Sequence, residues 1–233
     1  MKRTSILLLA VAAMLSVGVI SCDNDENNSG NGGETPAGWV DLGLPSGLLW
    51  AECNLGANAP EEYGNYYSWG ETQPKEVYNW STYRYCTMDG RQGSLTLTKY
   101  NTSSIYGTPD NLTALQAMDD AATQALGNGA RTPTKEEWEE LINNTTVEWT
   151  TMNGVNGRKF TAANGNTLFL PAAGRRNGSE LYSAGSYGFY WSSPLFTDDP
   201  YYAWCFYFNT GNQGVSGGGG RFLGFSVRAV RQN

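Results

Sequence analysis

The chain has 233 residues, 15 basic against 22 acidic, for a net charge of −7, and it contains no histidine. That length suffices for one medium domain with its own core or for two small ones. The acidic balance lacks the basic footprint that phosphate backbones require, which excludes nucleic acid. The missing imidazole excludes Ser-His-Asp and Cys-His catalysis, histidine zinc sites and imidazole pH switches.

Residues 1–21 read as an export signal, with Lys2 and Arg3 as the basic end, Ile6 to Val19 as the apolar stretch and Val19-Ile20-Ser21-Cys22 as the processing site. The apolar run is shorter than the ~20 residues a membrane span needs. A cysteine after small and branched residues resembles the bacterial lipobox, which implies cleavage before Cys22 and a lipid anchor to the membrane on it. Losing Lys2 and Arg3 leaves 13 basic residues against 22 acidic ones, a net charge of −9. Asp23 to Pro36 is polar, acidic and almost free of apolar side chains, so residues 22–38 read as a flexible tether. An acidic stretch after such a cysteine resembles the surface-export signal of Bacteroidota lipoproteins and implies an outer-membrane protein facing the cell exterior. Cys53, Cys86 and Cys205 remain. An oxidising location permits a Cys53–Cys86 bridge, which spacing alone does not establish, and no spacing suggests a metal cluster or a cofactor.

Residues 39–233 read as one domain rich in Gly, Asn, Ser, Thr and aromatics. A first helix is predicted from Leu112 to Leu126, striped by Leu112, Leu115, Met118, Ala122 and Leu126 and stopped by Gly127-Asn128-Gly129. A second is predicted over Lys135 to Asn143, opened by a Thr134/Glu137 capping box, with Trp138, Leu141 and Ile142 on its buried face. Asp119-Asp120, Glu136-Glu137 and Glu139-Glu140 fall on these helices, where adjacent acids point apart. They read as solvated or helix-start charge, not as catalytic pairs. Beyond the helices, strands dominate. In Tyr202 to Phe208 the even residues share one face, and Ala203, Cys205 and Tyr207 share the other. A terminal strand alternates Phe225, Val227 and Ala229 with Ser226, Arg228 and Val230. A mostly antiparallel sheet beside two helices and long loops makes an α+β domain.

Several phrases along this domain carry a family resemblance. They are Val40-Asp-Leu-Gly-Leu44, Leu49 to Ala57, Glu62 to Glu71, Asp119 to Ala122, Arg131-Thr-Pro-Thr134, Phe169 to Gly174, Tyr190-Trp-Ser-Ser193 and Gly224 to Arg231. In order and spacing they resemble the Fibrobacter succinogenes major paralogous domain, a family of C-type-lectin-like domains, over residues 39 to 231. The resemblance implies a C-type-lectin-like fold with paired terminal strands and long variable loops. It is more distantly similar to formylglycine-generating enzymes, whose paired C-terminal cysteines have only Cys205 as a counterpart here. Calcium-dependent lectins carry Glu-Pro-Asn or Gln-Pro-Asp followed by Trp-Asn-Asp. Here Gln73-Pro74 precedes Lys75 and no Trp-Asn-Asp exists, so neither a calcium sugar site nor catalysis is expected.

Residues 177 to 223 combine rigid aromatics with small polar residues, a mixture suited to recognition. Trp191, Trp204, Phe206, Phe208 and Phe225 are assigned to a core, whereas Tyr201, Cys205, Tyr207, Phe222 and Leu223 are expected toward solvent. The expected contacts to a protein or polysaccharide ligand are Tyr187, Leu195, Phe196, Asp198, Asp199, Tyr201, Tyr202, Cys205, Tyr207, Asn209, Phe222 and Leu223. The Tyr-Trp-Ser-Ser and Gly-Phe-Ser-Val-Arg phrases also resemble variable proteins of diversity-generating retroelements. That resemblance implies that Val215 to Leu223, with Leu195, Phe196, Tyr201, Tyr202, Cys205 and Tyr207, are substituted asparagine codons. The other class open to such a chain is a fimbrial or cell-envelope subunit whose aromatic face docks a neighbour.

Overall fold

A computed structural model describes residues 35, 37–89 and 94–233. The export signal, Cys22 and most of the tether lie outside the described residues.

The chain enters through β1 (Trp39–Asp41) and β2 (Leu48–Ala51) and leaves through β13 (Val230–Gln232). These form one antiparallel sheet in the order β1-β2-β13, with Val230 opposite Trp50, so the two ends of the domain are tied side by side. Between them come β3 (Cys86–Met88), β4 (Leu95–Leu97), α1 (Ala121–Leu126) and α2 (Lys135–Asn143). The antiparallel sheet of β5 (Thr145–Met152), β6 (Val155–Ala162) and β7 (Thr167–Pro171) follows, then the hairpin of β8 (Arg175–Asn177) and β9 (Glu180–Tyr182). The last sheet joins β10 (Gly188–Leu195), β11 (Tyr202–Phe208) and β12 (Gln213–Gly220). Antiparallel sheet predominates, and the two helices are short.

α2 forms as its sequence predicts. The Thr134 side chain accepts from the Glu137 N–H, the Glu137 carboxylate accepts from the Thr134 N–H at 2.8 Å, and Trp138 and Leu141 are buried. α1 is shorter than predicted. Residues 112–120 are irregular apart from a 3-10 turn at Ala117–Asp119, and the helix starts at Ala121. Asp120 explains the late start, because its carboxylate caps the Ala122 and Thr123 N–H groups and also accepts from Thr132. Both acids of the pair are buried, which corrects the solvated reading. Asp119 accepts from the Tyr85 and Tyr100 hydroxyls, each at 2.6 Å, and from Lys99 Nζ. The expected terminal strand also shortens. Residues 224–229 are extended but make only isolated bridges, from Gly224 to Arg176, Phe225 to Tyr67 and Ser226 to Tyr190. Threaded between three neighbours, this segment buries both of its faces.

The β10-β11-β12 sheet is a partition between two cores. Tyr190, Phe206 and Phe208 point to one side, where Trp138 stacks on Phe206 at 4.8 Å beside Trp50, Phe160, Leu168 and Leu170. Trp191, Leu195, Ala203 and Cys205 point to the other, among Trp69, Tyr83, Tyr100, Phe225 and Val227. Indole N–H groups pin the layers. Trp191 Nε1 donates to the Tyr67 carbonyl at 2.6 Å and Trp69 Nε1 to the Ser192 carbonyl at 2.8 Å. Cys86 is a thiol that donates to the Trp80 carbonyl, so no Cys53–Cys86 bridge is present.

Candidate functional site

The twelve expected contact residues fall into three places. Leu195, Cys205 and Leu223 are buried, which corrects their expected exposure. The two faces of β11 alternate as predicted, but β11 is the central strand of its sheet and both faces meet a core. For Ala203, Cys205, Phe206 and Phe208, alternation therefore sorts side chains between two interiors instead of between interior and water.

Tyr187, Tyr207 and Asn209 gather at one end of β11. Tyr187 is exposed and stacks on Phe189 at 5.8 Å, and Phe189 lies opposite Tyr207 in the sheet. Asn209 is spent on its turn, since Oδ1 accepts from the Gly211 and Asn212 N–H groups, both at 2.8 Å.

Phe196, Asp198, Asp199, Tyr201, Tyr202 and Phe222 gather at the other end, about 20 Å away for a seven-residue strand. Phe196 packs edge-on against Trp204, whose ring also carries Lys135 Nζ at 4.6 Å. Trp204 is thus only half-buried, which corrects its assignment to the core.

Tyr201, Tyr202 and Phe222 are joined by two rings the sequence does not connect to them. Asn79 caps a 3-10 turn over Trp80–Thr82 that presents the Trp80 indole. Its Nε1 donates to the Tyr201 hydroxyl at 2.5 Å, and its ring lies 4.4 Å from Tyr201 and 5.0 Å from Phe222. A second 3-10 turn, Ser104–Tyr106, brings Tyr106 to 6.3 Å from Tyr201, while Tyr202 packs on Tyr201 at 4.8 Å. Asp110 holds the base of that loop through the Tyr100, Asn101 and Leu112 N–H groups, and Thr102 ties it to the Thr197 carbonyl at 3.1 Å. Asp199 accepts from the Tyr201 N–H at 3.0 Å. The Tyr106 hydroxyl is pushed above its ordinary range, first by burial and then by the charge and hydrogen bond of Asp199. All five rings are half-buried, and Ile105 beside Tyr106 is 84% exposed.

Arg221 holds this patch from beneath. It is fully buried, and its guanidinium donates to the carbonyls of Lys99, Tyr100 and Pro200 and to the Tyr83 hydroxyl. Trp69 and Tyr83 flank the guanidinium at 5.1 and 5.3 Å. A buried cation met only by fixed acceptors locks the segments it touches, here the 99–100 and 200–201 stretches. The Asn79-x-x-Thr82 cap is legible as a local turn. Nothing in it shows that Trp80 meets a tyrosine 121 residues further on.

Elsewhere a hollow of about 460 Å³ opens beside β1 and β2. Small residues such as Ala51, Gly56 and Ala229 line it together with Trp39, Glu52, Asn54 and Asn58. Among the described residues no group of three or more Cys, Asp or Glu is placed to hold a metal ion, and no helix is long and apolar enough to cross a membrane. No protein-family model, curated protein or solved structure matches the chain.

Proposed function

We propose that this chain is a binding module of C-type-lectin-like architecture, carried on the outer surface of a bacterial cell by a lipid at Cys22, and that its ligand docks on the Trp80–Tyr106–Tyr201–Tyr202–Phe222 patch. The observation that carries the reading is a set of five half-buried aromatic rings, drawn from four separate segments and fixed from below by Arg221. Rigid, part-exposed aromatic clusters are where binding energy concentrates, because they bury area at little entropy cost. The side-by-side terminal strands and the long irregular loops that build the patch support the architecture. The reading is that of a binder, with Asp199 accepting from the Tyr201 N–H beside the rings.

The test is a binding screen of the mature domain on glycan and peptide arrays, with Tyr202→Ala and Phe222→Ala as controls of equal thermal stability. Binding lost in both variants supports the assignment. Binding retained in both moves the site elsewhere. Protease shaving of intact cells checks the location, and a protected domain would sink surface display.

A further inference from the structure

We infer that the patch recognises a cation, namely the ammonium or guanidinium group of a lysine or arginine on a protein partner. This rests on the binding-module reading and narrows it from protein or polysaccharide to one ligand chemistry.

Ring geometry is the first argument. Saccharides stack on a flat aromatic floor. Here Trp80 and Tyr201 are tilted by 57°, Tyr201 and Tyr202 by 54°, and Tyr106 and Tyr201 by 43°. Tilted neighbours give no single flat floor, and the exposed parts of electron-rich rings attract a cation.

Charge is the second. Asp198 is exposed and Asp199 half-buried beside Tyr106 and Tyr201, and among the described residues no lysine or arginine forms an ion pair with either. The nearby lysines are already engaged, Lys75 with Glu71 at 2.8 Å and Lys99 with Asp119 at 2.5 Å. The one cation beneath the patch, Arg221, is buried and solvated by three carbonyls. Asp198, exposed, and Asp199, which accepts from the Tyr201 N–H, are the acids of this loop, in a chain that is acidic overall at −7.

Ile105 is the third. An isoleucine 84% exposed on the turn that carries Tyr106 offers a polypeptide an apolar contact beside the rings.

The experiment titrates the folded domain with capped Gly-Lys-Gly and Gly-Arg-Gly peptides, using Gly-norleucine-Gly and Gly-Glu-Gly as controls. The readout is the Trp80 indole N–H resonance, assigned with Trp80→Phe. The cationic peptides are expected to shift it saturably, about tenfold more tightly than norleucine, as cation–π contact of ~1–2 kcal/mol predicts. Asp199→Asn and high salt are both expected to reduce that advantage. Equal response to lysine and norleucine, or no response to either cation, overturns the inference. Array hits confined to glycans, and lost in Tyr202→Ala, would also overturn it while leaving the binding module standing.

Discussion

The backbone N–H of Arg221 donates to the Tyr201 carbonyl at 3.3 Å, while the same residue's guanidinium donates to the Pro200 carbonyl at 2.8 Å. A fully buried charge thus positions the tyrosine that closes the surface patch. The relationship makes Arg221 a positioning residue, since it contacts the loop and not the proposed ligand surface.

Replacing Arg221 by methionine keeps much of the volume but strips three carbonyls and the Tyr83 hydroxyl of their donor. The expected loss is about 3–5 kcal/mol of folding stability. Arg221→Lys should recover little, because one ammonium cannot reach acceptors served by three separate nitrogens. Urea unfolding of both variants measures this, and a loss below about 1 kcal/mol would remove Arg221 from the argument.

The fold was legible where the signal is local. The Thr134/Glu137 box and the Trp138, Leu141 stripe specify α2 unaided, and Gly127 stops α1 where expected. The first helix was over-extended because Leu112 and Leu115 mimic a helical stripe while packing on the core from an irregular segment. Asp120 settles the competition by capping the helix under two turns before Leu126 instead of about four. Of the five rings of the proposed patch, Tyr201, Tyr202 and Phe222 stand out in the sequence by composition, whereas Trp80 and Tyr106 do not. Their pairing depends on loop paths that no periodicity records. Cys205, Leu195 and Leu223 were misplaced for a different reason: strand alternation gives two faces, and only the tertiary arrangement says that both are interior.

Acid should weaken the fold through Asp119. Burial alone would raise its pKa, but Lys99, Tyr100 and Tyr85 donate to the carboxylate and together hold it below the ordinary range. A carboxyl depressed in the folded state contributes stability that is present above its unfolded pKa of about 3.9 and is lost as pH falls through the folded value. Asp110, also depressed, acts in the same direction. Asp119→Asn should therefore cost most near neutral pH, by about 1–3 kcal/mol, with the gap to the parent closing below pH ~4. Denaturation midpoints against pH give the answer, and a gap constant down to pH ~2 would contradict it.

Alkali should act through tyrosine. Burial pushes the Tyr190 hydroxyl up to about 12, and burial likewise raises Tyr83, Tyr85 and Tyr100. These groups fold as neutral phenols, so their stabilisation is complete below the unfolded value of about 10 and fades as pH rises beyond it. Tyrosinate absorbance should rise together with the loss of near-ultraviolet circular dichroism. Ionisation of the full tyrosine complement with the fold intact would refute the assignment.

The glycines of β12 should differ in tolerance, although the sequence shows them as one run. A Cβ at Gly219 would lie 2.6 Å from the buried Trp191 ring and 3.1 Å from the Ala203 carbonyl, with no room for either to give. At Gly217 it would meet the Phe196 ring, which is half-buried and able to turn. At Gly218 only Ser216 Oγ is near, at 3.3 Å. Alanine at 219 should cost about 1–3 kcal/mol, at 217 less, and at 218 almost nothing. Uniformly small costs across the three would mean that the run is open to variation as a unit, as retroelement substitution requires.

Cys205 separates the core reading from the ligand reading directly. Its thiol sits between Trp191 and the neighbouring strands, and burial pushes its pKa up to about 12, with only Arg175 pulling it down. A thiol this hard to ionise should resist alkylation in the folded domain and react only as fast as the domain opens. Mass spectrometry after an iodoacetamide pulse, native against urea-unfolded, reports the difference. Cys205→Asn adds the decisive contrast. An amide placed in that buried site should cost about 1–3 kcal/mol, whereas a surface contact would accept it freely. Rapid native alkylation with a silent Cys205→Asn would return the residue to the binding face and make β11 a strand with one side open to ligand.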